Sequence, residues 1–198
     1  MIESSKTKRK ACYRNFEMIH KPATREELEQ IINETVEKEG NECDLSFIDT
    51  SLITDMSFLF HGMENFNGKI SNWDVSNVKD MSCMFFNALT FNQPLDKWDV
   101  SNVKDMSYMF YQAESFNQPL DSWTVSKVAN MRRMFERAYS FNRQLDKWNV
   151  SKVYDMYGMF YQAESFNQPL DNWQVNSIIF KEDMFVGTKL KSLPQWAK

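Results

Sequence analysis

The chain repeats itself every 25 residues from about residue 51 to residue 185. Phe66, Phe91, Phe116, Phe141 and Phe166 share one slot, each followed by Asn. Trp73, Trp98, Trp123, Trp148 and Trp173 share a second, and Met56, Met81, Met106, Met131 and Met156 a third. Self-similarity at a fixed period of this size means that each unit cannot bury its apolar face alone and must stack on its neighbours. The residues therefore predict a solenoid of about six coils over 44–185, the first of them (44–63) degenerate.

Such an array needs covered ends. The stretch KPATREELEQIINETVEKEG predicts a capping helix within 22–43. Thr24 and Glu27 form a capping box, Leu28, Ile31, Ile32, Thr35 and Val36 make one apolar stripe, and Gly40 follows where a left-handed residue closes a helix. At the other end, Leu190, Leu193 and Trp196 are expected to fold back over 186–198 as a hydrophobic cap. Residues 1–21 read as a loosely ordered lead-in, its Lys6, Lys8, Arg9 and Lys10 as a solvated basic tail. Within a coil, NQPLDKWDV predicts a short extended segment. Asp105 is then expected to cap a short helix that buries Met106, Met109, Phe110 and Ala113. The repeated Asn reads as a ladder of hydrogen bonds between coils, and the Trp, Met and Phe columns read as core.

Net charge is −4, so no broad cationic surface is available for phosphates and nucleic acid is not an expected partner. Cys12, Cys43 and Cys83 are three in number with unrelated spacings, which indicates neither a disulfide framework nor a zinc site. The N-terminus lacks the apolar run of a secretory signal, and no stretch is long and apolar enough to span a membrane. The sequence alone therefore points to a cytoplasmic chain.

The run FNQPLDKWDVSNVKDMSYMF resembles the repeat of the BspA-like leucine-rich-repeat surface proteins, whose units read WDVSNVxDMSxMFxxAxxFNQ. The W-x-V-S, D-M-x-x-M-F and F-N-Q elements keep their order and spacing through residues 66–170. PATREELEQII and IDTSLITDMSFLF are similar to that family's N-terminal arrangement. The resemblance implies an α/β fold, a right-handed, leucine-rich-repeat-like solenoid, and protein recognition, often adhesion to host or matrix proteins at a bacterial surface. It carries no catalytic residues.

Chemistry beyond recognition is not indicated. His20 and His61 have no Cys, His or carboxylate at ligand spacing, and Cys83 sits in a slot that also takes Tyr108, Arg133 and Gly158. Asp80, Asp105 and Asp155 suit backbone capping, and five glycines are too few for a calcium-binding repeat. No metal, cofactor or enzymatic activity is expected. The positions that change between coils are then the candidates for binding. Arg132, Arg133 and Arg137, with Lys127 and Arg143 nearby, replace neutral residues in the fourth coil and suit an acidic partner, with Glu136 expected to pair among them. Tyr108, Tyr111, Tyr157 and Tyr161, with Tyr139 and Tyr154, would line up across stacked coils, and Tyr and Arg together are the composition of interaction hot spots. The expected function is non-catalytic protein binding. The alternatives are a self-assembling structural module and an intracellular regulator that binds an effector protein; the chain is expected to be a monomer or an end-to-end oligomer.

Overall fold

The computed structural model of the chain describes residues 20–198. The lead-in expected over 1–21, with Cys12 and the four basic residues, lies outside that range except for His20 and Lys21. Helix α1 spans Arg25–Glu39. Thr24 accepts the Glu27 amide at 3.2 Å, and Glu27 accepts the Ala23 amide at 2.7 Å, so the box closes one residue further back than its usual form. Leu28 and Ile32 are fully buried, Ile31 and Val36 partly so, and Gly40 ends the helix at φ +89°. The Arg25 guanidinium reaches the first coil and donates to the Ser57 carbonyl at 2.6 Å.

From residue 56 onward, consecutive coils are joined by one repeated ladder. The amides of Met56, Phe58, Phe60 and Gly62 donate to the carbonyls of Asp80, Ser82, Met84 and Phe86 at 2.7–2.9 Å. The same four bonds recur from 81–87 to 105–111, and so on until Met156, Gly158, Phe160 and Gln162 donate to Phe180, Glu182, Met184 and Val186. Within this ladder every donor lies in the earlier coil and every acceptor in the later one, whereas two further backbone columns, from Lys79 to Thr54 and from Thr90 to Glu64 onward, run the other way. The intervening amides close tight turns within the coil, such as Met109 to Met106, Tyr111 to Tyr108 and Ala113 to Phe110.

This is not the expected α/β, leucine-rich-repeat-like solenoid. Among the described residues no strand and no sheet forms, only seven isolated parallel bridges, and no coil contains a helix. The reason is local. Each ladder segment has a left-handed residue at its third position (Phe58, Cys83, Tyr108, Arg133, Gly158, Asp183) and another at its seventh (Gly62, Asn87, Gln112, Arg137, Gln162, Gly187). A left-handed residue can continue neither a right-handed helix nor an extended strand, and it sits at the third position of a tight turn, where type II turns require it. Asp105 accordingly caps no helix. Its carboxylate accepts the Ser107 amide at 2.8 Å, a turn of the Asx kind.

The expected core nevertheless forms as columns. Phe85, Phe110, Phe135 and Phe160 stack face to face at 5.4–5.6 Å between ring centroids. The Phe66–Phe166 column runs beside them, as close as 4.0 Å where Phe110 meets Phe116. Each Trp indole donates back to the preceding coil, as Trp123 does to the Leu95 carbonyl at 2.9 Å, so its one polar atom is satisfied inside the core. Trp196 continues this pattern past the last coil, bonding the Leu170 carbonyl at 2.8 Å and stacking on Trp173 at 5.9 Å. Leu190 packs against the core, whereas Leu193 stays exposed.

The Asn column is the hydrogen-bond ladder that the sequence predicts. Asn67, Asn92, Asn117 and Asn142 each accept the amide of the next Asn at 2.9–3.1 Å. Asn117→Ala leaves the Asn142 amide without its acceptor and is expected to cost about 1–2 kcal/mol in chemical denaturation. A loss below a few tenths would show that water replaces the side chain.

Candidate protein-binding face

The ladder dictates which side chains can meet a partner. In each seven-residue segment from 56–62 to 156–162 the first, fourth and fifth side chains are buried, as Met106, Met109 and Phe110 are. The second, third, sixth and seventh lie on the outer side of the stack, although Ser107 and Glu136 among them are buried. In the third coil these are Ser107, Tyr108, Tyr111 and Gln112. In the fourth they are Arg132, Arg133, Glu136 and Arg137, and in the fifth Tyr157, Gly158, Tyr161 and Gln162. The seven residues expected to bind a protein therefore fall on one face of three adjacent coils, and all seven are half-buried.

They also touch one another. Arg132 donates to the Tyr108 hydroxyl at 3.3 Å, lies over the Tyr157 ring at 4.3 Å and approaches Asp155 at 3.5 Å. Arg133 lies 5.2 Å from the centre of the same ring. Arg137 donates to the Gln162 amide oxygen at 2.9 Å. Tyr108 and Tyr111 have centroids 5.9 Å apart, and Tyr111 continues an aromatic column through Phe86 to His61 at 4.4 and 4.8 Å. Rings stacked this way are held in place before any partner arrives, which lowers the entropy lost on binding.

Glu136 lies among the arginines, as its sequence position suggests, but it is only 4% exposed. Arg133 Nε stands 3.3 Å from its carboxylate, too poorly aligned for a hydrogen bond, and is left without a partner while buried. Beside it opens a cavity of about 270 Å³ lined by Arg133, Glu136, Arg137, Tyr157, Tyr161 and Asp183. Burial pushes the Glu136 carboxyl above its ordinary range, against the pull of Arg133, Arg137 and Arg132. The folded protein thus holds this proton more tightly than the unfolded chain. The stability it contributes is full below the ordinary carboxylate value and declines as pH rises through the raised one. Glu136→Gln is expected to flatten the stability curve over that mildly acidic window, and an unchanged slope in thermal melts would refute the assignment.

Other residues of the basic set lie elsewhere. Lys127 donates to Asn102 at 2.6 Å, and Arg143 takes the place of the recurring Gln, donating to the Asn117 carbonyl at 2.7 Å. Both serve contacts between coils. Tyr154 is exposed and Tyr139 half-buried. Sequence reasoning missed Gln162, which positions Arg137, and missed that Tyr108, Arg133 and Arg137 are left-handed. One signal was present: Gly62, Gly158 and Gly187, with Asn87 and Asp183, occupy those same two slots, and these are the residue types that tolerate positive φ.

Reactive groups do not gather here. Cys83 is half-buried, and burial together with Asp105 and Asp80 pushes its thiol up to about 11, far from a thiolate at neutral pH. His61 is exposed against Phe86. Among the described residues no three His, Cys, Asp or Glu side chains are grouped to hold a metal ion, and no helix is long and apolar enough to cross a membrane.

A repeat array that carries a cluster of arginines and tyrosines on one face is the class the fold defines. The model of the family described as "Mycoplasma protein of unknown function, DUF285" matches residues 27–145 and 120–196, and the chain belongs to that family. No curated protein and no solved structure matches it. The family's description carries neither adhesion nor a leucine-rich repeat, and with no strand among the described residues the expectation of a leucine-rich-repeat adhesin is withdrawn.

Proposed function

We propose that this chain is a non-catalytic protein-binding module and that its contact surface is the face built by Tyr108, Tyr111, Arg132, Arg133, Arg137, Tyr157 and Tyr161. The observation that carries the reading is the cluster itself: four tyrosines and three arginines, held half-exposed on adjacent coils, four of them (Arg133, Arg137, Tyr157 and Tyr161) lining a cavity of about 270 Å³. Tyrosine and arginine supply large contact area and directed donors at little entropic cost, as interaction hot spots do. Arg132 and Arg133 already face Asp155 and Glu136, whereas Arg137 bonds only a neutral amide, so a carboxylate on the partner would meet Arg137 first. Kinship of the repeat motif with the BspA-like surface repeats is part of this proposal, without their sheet and without an adhesive role.

The pairing also selects the test. Arg133→Glu would set a second carboxylate against the buried Glu136 and damage the fold. Tyr111→Ala/Arg137→Ala/Tyr161→Ala keeps both ion pairs and is the better probe. Immobilised wild-type protein is expected to retain a specific protein from a lysate of its own cell, with binding reduced at least tenfold in the triple variant at unchanged circular dichroism. Equal retention by both proteins would remove the function from this face.

A further inference from the structure

The one-directional ladder leaves the two ends of the array chemically different. At the last segment the amides of Lys181, Asp183, Phe185 and Gly187 occupy the donor positions, and none of the four makes a hydrogen bond to another described residue. The ladder thus ends here on four N–H groups that no described residue accepts. At the opposite end the corresponding groups are carbonyls, one of which is taken by Arg25. Two backbone columns run the other way, from Lys79 to Thr54 and from Thr90 to Glu64 onward, so the four donor columns leave the last coil partially positive.

Side-chain charge follows the same polarity. Helix α1, across the first coil, carries Glu26, Glu27, Glu29, Glu34, Glu37 and Glu39 against Arg25 and Lys38. The last segment and its tail carry Lys181, Lys189, Lys191 and Lys198, all exposed, against Glu182 and Asp183. Large exposed apolar side chains also gather at the ends. Leu52 (50%) and Phe58 (49%) lie on the first coil, and Ile179 (67%), Phe180 and Val186 (50%) on the last, with Leu193 in the tail beyond. At this end a cavity of about 450 Å³ opens between Met184, Phe185 and Val186 on one side and Leu193, Trp196 and Ala197 on the other. Lys181 ends the buried Met column and ties to the Trp196 carbonyl at 3.2 Å, so the edge does not continue as another coil of the same kind.

We infer that the C-terminal end of the array binds the N-terminal end of a second copy of this chain, α1 of one molecule packing against residues 179–198 of the next. The glutamates on the exposed face of α1 would accept from the free amides and pair with the lysines, while the apolar groups of the two ends cover one another. The two surfaces differ, so the contact is heterologous and grows open chains instead of closing as a dimer. Exposed charge dominates it, so it weakens as salt rises.

Light scattering and sedimentation across a concentration series test this with the full chain. Wild-type mass is expected to rise with concentration at low salt and fall back at high salt. Lys189→Glu/Lys191→Glu/Lys198→Glu and Glu26→Lys/Glu34→Lys/Glu37→Lys should each lower the association constant by roughly ten- to a hundredfold, a few exposed pairs turned from attraction to repulsion. Mixing the two variants should restore association, since each then meets an end of opposite sign, and that recovery also proves both folded. A wild-type monomer at every concentration, association untouched by either variant, or no recovery on mixing would overturn the inference. The protein-binding face is tested separately, because Tyr111→Ala/Arg137→Ala/Tyr161→Ala should leave the assembly unchanged.

Discussion

Phe110→Ala is expected to cost about 3–5 kcal/mol, the range for removing a buried aromatic ring. Its ring is fully buried and lies between Phe85 at 5.4 Å and Phe135 at 5.5 Å, with Phe116 at 4.0 Å beside it. Deleting it empties a site that three rigid rings border, so little collapse can fill the gap. Domain stability is commonly only about 5–15 kcal/mol, so one such loss removes a large part of it. The position matters as much as the size. In a stack whose units touch only their neighbours, a defect at the middle uncouples the halves. Chemical denaturation followed by tryptophan fluorescence should show a lower midpoint, and a broadened or split transition if the halves separate. Phe86→Ala, on the half-exposed aromatic column, should cost much less. Equal losses at Phe86 and Phe110 would contradict the division into core and half-exposed columns.

Met131→Lys should be as damaging, for a different reason. Met56, Met81, Met106, Met131 and Met156 are all fully buried, and the column ends where Lys181 takes the next slot at the exposed edge. The lysine is tolerated there because its ammonium reaches water and the Trp196 carbonyl. At position 131 neighbouring coils cover both sides, and an ammonium would be left buried without a partner. The expected loss is about 3–5 kcal/mol, comparable to stranding one member of a buried ion pair. Thermal melts should show partial relief at alkaline pH, where the lysine can fold neutral. A stable variant with no pH dependence would mean that the column is open to solvent.

Much of this could be read from the sequence, because burial depends on period and the period is explicit. The Phe, Trp and Met columns, the Asn ladder and the apolar stripe of α1 all follow from which residue types recur at fixed spacing. The backbone did not follow. Met106, Met109, Phe110 and Ala113 have the spacing of a helical face and are buried together, yet their segment is a series of tight turns. Periodicity reports which side chains face inward and does not report the sign of φ. That sign is carried by two slots per coil, where most coils use residues such as Tyr108, Gln112, Arg133 and Arg137 that do not advertise a left-handed conformation. Gly62, Gly158 and Gly187, with Asn87 and Asp183, were the overt sign of it, and Gly158 read as ordinary variation in a surface slot.

The candidate face was legible in part for the same reason. Slots that vary between coils point outward, which placed Arg132, Arg133, Arg137 and the tyrosines together. Their pairing was not legible. That Glu136 is buried, that Arg132 spans Tyr108 and Tyr157, and that Lys127 and Arg143 serve the stack instead of the face are matters of side-chain geometry between coils.

Amide hydrogen exchange, read residue by residue by NMR in dilute solution at high salt, tests the stacked ladder most directly. Met106, Tyr108, Phe110 and Gln112 should be strongly protected, since each donates to the next coil, whereas Lys181, Asp183, Phe185 and Gly187 should exchange freely. Rapid exchange at the first four, or protection at the last four equal to theirs, would contradict the repeated ladder on which both the proposed binding face and the proposed end-to-end contact depend.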